Sequence, residues 1–239
     1  MTTNEEVIEG EGFGDELTTN TNDRFNLVFV VDTSGSMTGD IEELKQGLQT
    51  LEKEAKNDPK IQNKVRFAVV EFGGKVNVLH PFTDMANYQS PGDKLSAGGG
   101  TPQGQAVNLA LEMIEEDKEK YRTKGIGYHR PFVVVLTDGK PNGEDFQKSV
   151  NNVVAAANQD KVVFFGLGVD SADMEKLKKY REGVKEDHKK NVRIAKVKNK
   201  QFEGVFKLLS NSMSSKSQSN DTEEQHDVTE GTEPFFEPA

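Results

Sequence analysis

The chain has 239 residues, 33% of them hydrophobic, with a formal net charge of −10 and no cysteine. That length accommodates one large domain with polar ends, and the missing thiols exclude disulfides, thiolate metal sites and cysteine nucleophiles while fitting a reducing cytoplasm. No apolar run approaches the ~20 residues of a membrane span, and the acidic opening 1-MTTNEEVIEGEGFGDEL-17 reads as neither a secretion signal nor an Arg-rich transit peptide.

The negative charge is concentrated at the ends. Residues 1–23 hold Glu5, Glu6, Glu9, Glu11, Asp15, Glu16 and Asp23, and the last twenty positions hold seven acids and no Lys or Arg. Segments 1–23 and 218–239 are therefore expected to be acidic and disordered, flanking a nearly neutral domain over 24–217.

Within the domain, 26-NLVFVV-31 reads as a strand buried on both faces. An amphipathic helix follows from about Asp40, with Ile41, Leu44, Leu48 and Leu51 on one stripe. The β-branched and aromatic run 65-VRFAVVEF-72 is a second strand. Gly73-Gly74 suggests a two-residue hairpin returning through 76-VNVLHPF-82. After the Gly-rich loop 97-AGGG-100, Thr101 is a candidate N-cap and Pro102 a first helical residue, opening a helix to about Tyr121. The strand 132-FVVVLT-137, a helix near 144–158, the strand 161-KVVFFGLG-168, a helix over 171–185, a short strand 191-NVRIAKV-197 and a helix over 201–215 complete the pattern. Apolar strands alternating with helices imply an α/β fold of three layers, with a mostly parallel central sheet, one antiparallel edge strand and helices on both faces.

In open sheets of this kind ligands bind beyond the carboxyl ends of the strands. Three polar loops fall there: Asp32-Thr33-Ser34-Gly35-Ser36, Gly98-Gly99-Gly100-Thr101 and Thr137-Asp138-Gly139. Together, Asp32, Ser34, Ser36, Thr101 and Asp138 offer two carboxylates and three hydroxyls, with no His or Cys. Such an all-oxygen set suits a hard divalent cation, Mg²⁺ first, with Mn²⁺ or Ca²⁺ as alternatives. Mg²⁺ takes about six oxygens, so five protein donors leave a position for water or a ligand oxygen.

The residues 32-DTSGS-36, the Thr in 98-GGGTPQGQA-106 and the Asp in 133-VVVLTDGKPN-142 resemble the von Willebrand factor type A (VWA) domain and its metal-ion-dependent adhesion site. The resemblance covers about residues 24–217. It implies a Rossmann-like fold, a metal held by Asp32, Ser34, Ser36, Thr101 and Asp138, and a partner protein whose Asp or Glu carboxylate completes the shell. The phrases 129-HRPFVVVLTDGKPN-142 and 207-KLLSNSMSSKSQS-219 look like the bacterial tellurite-resistance-type branch, which implies a cytoplasmic, stress-related assembly with kinase or phosphatase components.

The competing class is a Mg²⁺-dependent hydrolase or phosphatase-like enzyme. It lacks a general base in the three loops, and His80, His129, His188 and His226 are expected at the surface. The Lys-rich stretch 176-KLKKYREGVKEDHKK-190 mixes bases with acids and reads as a solvated face, so no nucleic-acid partner is expected. The tail 227-DVTEGTEPFFEPA-239 joins carboxylates to Phe235 and Phe236, making Glu233 or Glu237 candidate occupants of a metal site in cis or on a neighbouring molecule.

Overall fold

In the computed structural model the described residues are 17, 20, 22–143, 145–169, 172–218 and 233–238. They form seven strands and six helices: β1 (Phe25–Asp32), α1 (Ile41–Ala55), α2 (Pro59–Lys64), β2 (Val65–Gly73), β3 (Lys75–Asp84), α3 (Gln103–Lys124), β4 (Phe132–Thr137), α4 (Asp145–Ala157), β5 (Val163–Gly168), α5 (Met174–Glu182), β6 (Val192–Val197), α6 (Phe202–Gln218) and β7 (Phe236–Pro238). Among the described residues no helix is long and apolar enough to cross a membrane.

The strands make one sheet in the order β3-β2-β1-β4-β5-β6-β7. β1 pairs in parallel with β2 and β4, and β4, β5 and β6 continue in parallel. The chain thus builds outward from β1 to one side, then returns to β1's other side at β4 and builds the opposite way. That reversal opens a crevice at the carboxyl ends of β1 and β4, the usual ligand position in such sheets. The first and third predicted loops leave these two ends.

Alternation along β1 explains the three layers. Phe25, Leu27, Phe29 and Val31 pack with Leu44, Leu48 and Leu51 of α1 and with Phe202 and Phe206 of α6. Val28 and Val30 point the other way, to Val107, Ala110 and Ile114 of α3 and to Val150 and Val153 of α4. With period-2 side chains, a strand apolar at every position must be covered on both faces.

Two antiparallel edge strands are present where one was expected. β3 is antiparallel to β2, with register shifts between Phe67 and Val70. The other is β7, drawn from the C-terminal segment, with Val197 opposite Phe236 and Ala195 opposite Pro238. A three-residue strand in an acidic, Pro-containing tail carries no periodic signal, so the sequence placed it outside the domain. The β2–β3 turn also differs. Gly73 stays in the ladder opposite Lys75, and only Gly74, at φ +77°, lies between them. At the other end, Leu17 packs with Tyr121 and Ile126, so part of the acidic N-terminal segment touches the core. The expectations for residues 1–16, 18, 19, 21 and 219–232, including His226, lie outside the described residues.

A buried charge network closes the amino ends of the strands. Arg24 reaches Asp84 at 3.1 Å, and Arg66 reaches Asp84 and Asp117 at 2.9 Å each. Asn26 and Tyr121 also donate to Asp117. Burial alone would lower the pKa of Arg66, but the carboxylates of Asp117 and Asp84 overturn that and hold it raised. His129, expected at the surface, is 1% exposed here, its backbone N–H donating to the Arg24 carbonyl at 2.7 Å. The Lys-rich helix α5 behaves as expected: Lys178 pairs with Glu175, and Lys179 with Glu182, on an exposed face.

Candidate functional site

β1 ends at Asp32, whose side chain is fully buried. One carboxylate oxygen accepts the Ser34 N–H at 2.8 Å, which curls the loop back; the other accepts the Thr137 hydroxyl at 2.5 Å from the end of β4. Thr137 lies beside Asp32 because β1 and β4 run in register up to Val31 and Leu136. The Thr137 oxygen also accepts the Gly139 N–H at 3.2 Å, which turns Asp138 into the crevice.

The hydroxyls continue the chain of contacts. Ser34 Oγ and Ser36 Oγ are 3.2 Å apart, and Ser36 donates to Asp138 Oδ1 at 2.7 Å. Ser34 precedes the 3₁₀ turn Gly35–Gly39 but makes no side-chain cap, so its oxygen is not engaged in capping the start of the turn. Thr101 likewise differs from its expected role as a cap. α3 begins at Gln103, with Pro102 as the flanking residue and no side-chain cap. A Cβ placed on Gly139 would lie 3.0 Å from Thr101 Oγ1 and 3.4 Å from Asp32 Oδ2, so both oxygens face that glycine. The five predicted residues therefore converge on one crevice. Asp32, Ser34, Thr101 and Asp138 are buried, and Ser36 is exposed at its mouth.

Backbone bonds hold the three loops together. Thr33 donates to Phe72 O and accepts from Gly98 N; Gly35 N reaches Gly99 O, and Gly74 N reaches Gly100 O at 2.8 Å. Thr101 is clamped from β4's side. Asn142 N donates to Thr101 O at 3.0 Å, and the Asn142 side-chain amide, oriented to match, accepts Thr101 N–H at 3.0 Å and donates to Thr101 O. Thr137 and Asn142 are the positioning residues that sequence reasoning missed. Their signal was present in 137-TDGKPN-142, but only the fold shows what their polar atoms meet.

Electrostatically the crevice is acidic. Burial pushes the Asp32 carboxyl up, hydrogen bonds from Ser34 and Thr137 pull it down without cancelling that, and the charge of Asp138 adds to the rise. No described Lys or Arg pairs with Asp32. A hard cation fits this donor set: every donor is oxygen, and a positive charge would offset both the desolvation and the carboxylate repulsion. Among the described residues no three His, Asp or Glu side chains gather as a metal cluster, and the crevice itself offers two carboxylates with three hydroxyls.

The tail does not enter this crevice in cis through Glu237. That residue lies opposite Lys196 on β6, and β4 and β5 separate β6 from β1. The side chain of Glu233 lies outside the described residues.

The profile of the von Willebrand factor type A domain matches residues 26–206. Inter alpha-trypsin inhibitor, heavy chain 4 of Mus musculus is 29% identical over 168 residues, covering 64% of this chain and 17% of that protein. Matrilin-3 of Gallus gallus is 28% identical over 158 residues, covering 64% of this chain and 33% of that protein. The chain thus spans a third or less of the length of these relatives. The vWF domain of the type V pili tip protein Mfa5 from Porphyromonas gingivalis has the same fold, with a TM-score of 0.58 at 13% identity, covering 84% of this chain and 98% of that one.

Proposed function

The chain belongs to the von Willebrand factor type A domain family, and from that membership we propose that it is a protein-interaction module whose crevice holds Mg²⁺ and captures a partner's Asp or Glu carboxylate. The observation that carries this reading is the convergence of Asp32, Ser34, Ser36, Thr101 and Asp138 at the β1–β4 reversal. When bound, Mg²⁺ supplies an electrophilic coordination position for an incoming oxygen. The chain's own residues set up the rest: Thr137 orients Asp32, Asn142 fixes Thr101, and Ser36 places Asp138 at the crevice mouth.

Capture is preferred to hydrolysis because the titratable groups converging in the crevice are the two carboxylates themselves, and Glu71, which borders the first loop, accepts from Thr33 and Asn77. His80 lies on β3, His129 precedes β4 at the opposite end, and His188 sits by Asp160. We further place the module in a bacterial stress-response assembly of the tellurite-resistance type, alongside kinase or phosphatase components. The support is the likeness of 129-HRPFVVVLTDGKPN-142 and 207-KLLSNSMSSKSQS-219 to that branch, and the cysteine-free composition favours a cytoplasmic setting.

Calorimetric titration of Mg²⁺ alone into the full chain tests the first step, and titration of an Asp-rich peptide with and without EDTA tests the second. Asp32→Ala is expected to abolish the Mg²⁺ heat and the EDTA-sensitive peptide binding while leaving a cooperative melt. Binding of Mg²⁺ to Asp32→Ala at native affinity would refute the site; peptide binding unaffected by EDTA would refute the capture.

A further inference from the structure

β6 would be the sheet's basic edge if β7 were absent. Arg193 and Lys196 lie on it and Lys198 follows it directly, while Lys200 beyond is paired with Asp40 at 3.0 Å. An open edge strand offers unpaired N–H and C=O groups to any extended chain. Here the C-terminal segment fills it, and does so with specific side chains as well as backbone. Glu237 lies across from Lys196, an opposite-charge cross-strand pair. Phe236 packs against the core on the α1–α6 face.

Phe235 is held differently. It sits on α6 at Gly204, where a Cβ would come within 2.2 Å of the Phe235 Cβ, and Lys207 Nζ lies 5.9 Å from the ring centroid. Any side chain at position 204 would close this seat. The ladder itself is only three residues long, so the two aromatic anchors carry much of the specificity: Phe236 opens the added strand and Phe235, in the 3₁₀ turn before it, is read by α6. The segment is acidic where the edge is basic.

We propose that the β6 edge and the Gly204 seat form a second peptide-docking site, separate from the metal crevice. Its partner is a segment with two adjacent aromatic residues between acidic ones, and the chain's own Glu233–Glu237 stretch, a 3₁₀ turn to Phe235 followed by a strand from Phe236, is the resident competitor. β5 lies between this edge and β4, where the crevice opens, so the two sites occupy different places on the sheet. Tethering raises the local concentration of the tail to about millimolar, so a partner peptide of weaker affinity is excluded until the tail is released.

The test uses the full chain and a fluorescent peptide of residues 231–239, read by anisotropy. The variant Phe235→Asp/Phe236→Asp, whose tail cannot seat, is expected to bind the peptide at least about tenfold more tightly than the native chain. Adding Gly204→Val should remove that binding, a peptide with both Phe replaced by Ala should not bind, and EDTA should change nothing. Equal binding by the native chain and the tail variant, or binding that survives Gly204→Val, would overturn the proposal. Should the tail variant not melt cooperatively, Gly204→Val in the native chain carries the test. Amide exchange at residues 195–197 is then expected to accelerate, and unchanged protection would overturn the proposal.

Discussion

Gly98 and Gly99 are neighbours in one loop, yet they should respond to the same substitution with opposite signs. Gly99 has φ +73°, and a Cβ there would lie 2.5 Å from the Gly74 Cα and 2.7 Å from its nitrogen. The left-handed conformation costs a non-glycine residue about 1–2 kcal/mol. The clash is with backbone, which cannot swing aside, and forcing packed groups apart costs about 1–3 kcal/mol. Gly99→Ala should therefore destabilise the chain by about 2–5 kcal/mol. Gly98 lies outside the left-handed region, and a Cβ there meets nothing within 4 Å. Its N–H bond to Thr33 O uses backbone atoms and survives substitution. Gly98→Ala should be neutral or stabilising by up to about 1 kcal/mol through reduced freedom of the unfolded chain. The effect should reach the crevice as well. Separating Gly99 from Gly74 strains the Gly74 N to Gly100 O bond at 2.8 Å, and Thr101 is the next residue. Urea denaturation of both variants, with Mg²⁺ titration beside it, gives the comparison. Similar stabilities for the two, or a Mg²⁺ affinity for Gly99→Ala equal to that of Gly98→Ala, would refute the account of how the loop is held.

Asp32→Asn should be neutral or stabilising in EDTA, since it removes a buried charge facing Asp138, and destabilising relative to the native chain in Mg²⁺. At a hundredfold excess over Kd the ligand adds about 2.7 kcal/mol to the native chain alone, and paired thermal melts would expose the crossover or its absence. Thr137→Val keeps the strand shape but removes the donor to Asp32 and the acceptor for Gly139 N–H; Mg²⁺ affinity should fall by about 10–100-fold, with Thr137→Ser restoring most of it in the same titration. Asp84→Ala leaves Arg24 and Arg66 buried without that shared carboxylate and should cost about 3–5 kcal/mol in urea denaturation. Because the network lies at the amino ends of the strands, Mg²⁺ affinity of the folded fraction should be unchanged.

The sequence is most legible where a local rule and the topology agree. β1 and β4 are unbroken apolar runs, and only a strand covered on both faces needs such a run. The carboxylate and hydroxyls of 32-DTSGS-36 are spaced two apart around Gly35, so one turn brings them together without help from the rest of the chain. Thr101 shows where local rules mislead. Thr-Pro ahead of a helix is a good capping signal, but the Asn142 clamp and the contacts of Gly98–Gly100 rotate the Thr101 hydroxyl toward Gly139 instead. Arg24, Arg66, Asp84 and Asp117 are scattered over a long stretch of chain, and nothing in their spacing reveals that they meet in the interior. The burial of His129 is hidden for the same reason. β7 is the extreme case, since its place depends on Gly204 and on the edge of β6, neither adjacent to it in sequence. The crevice could be read because four of its five donors hang from the ends of the two strands that the fold must place side by side. Features that depend on which distant backbone happens to pass a glycine could not.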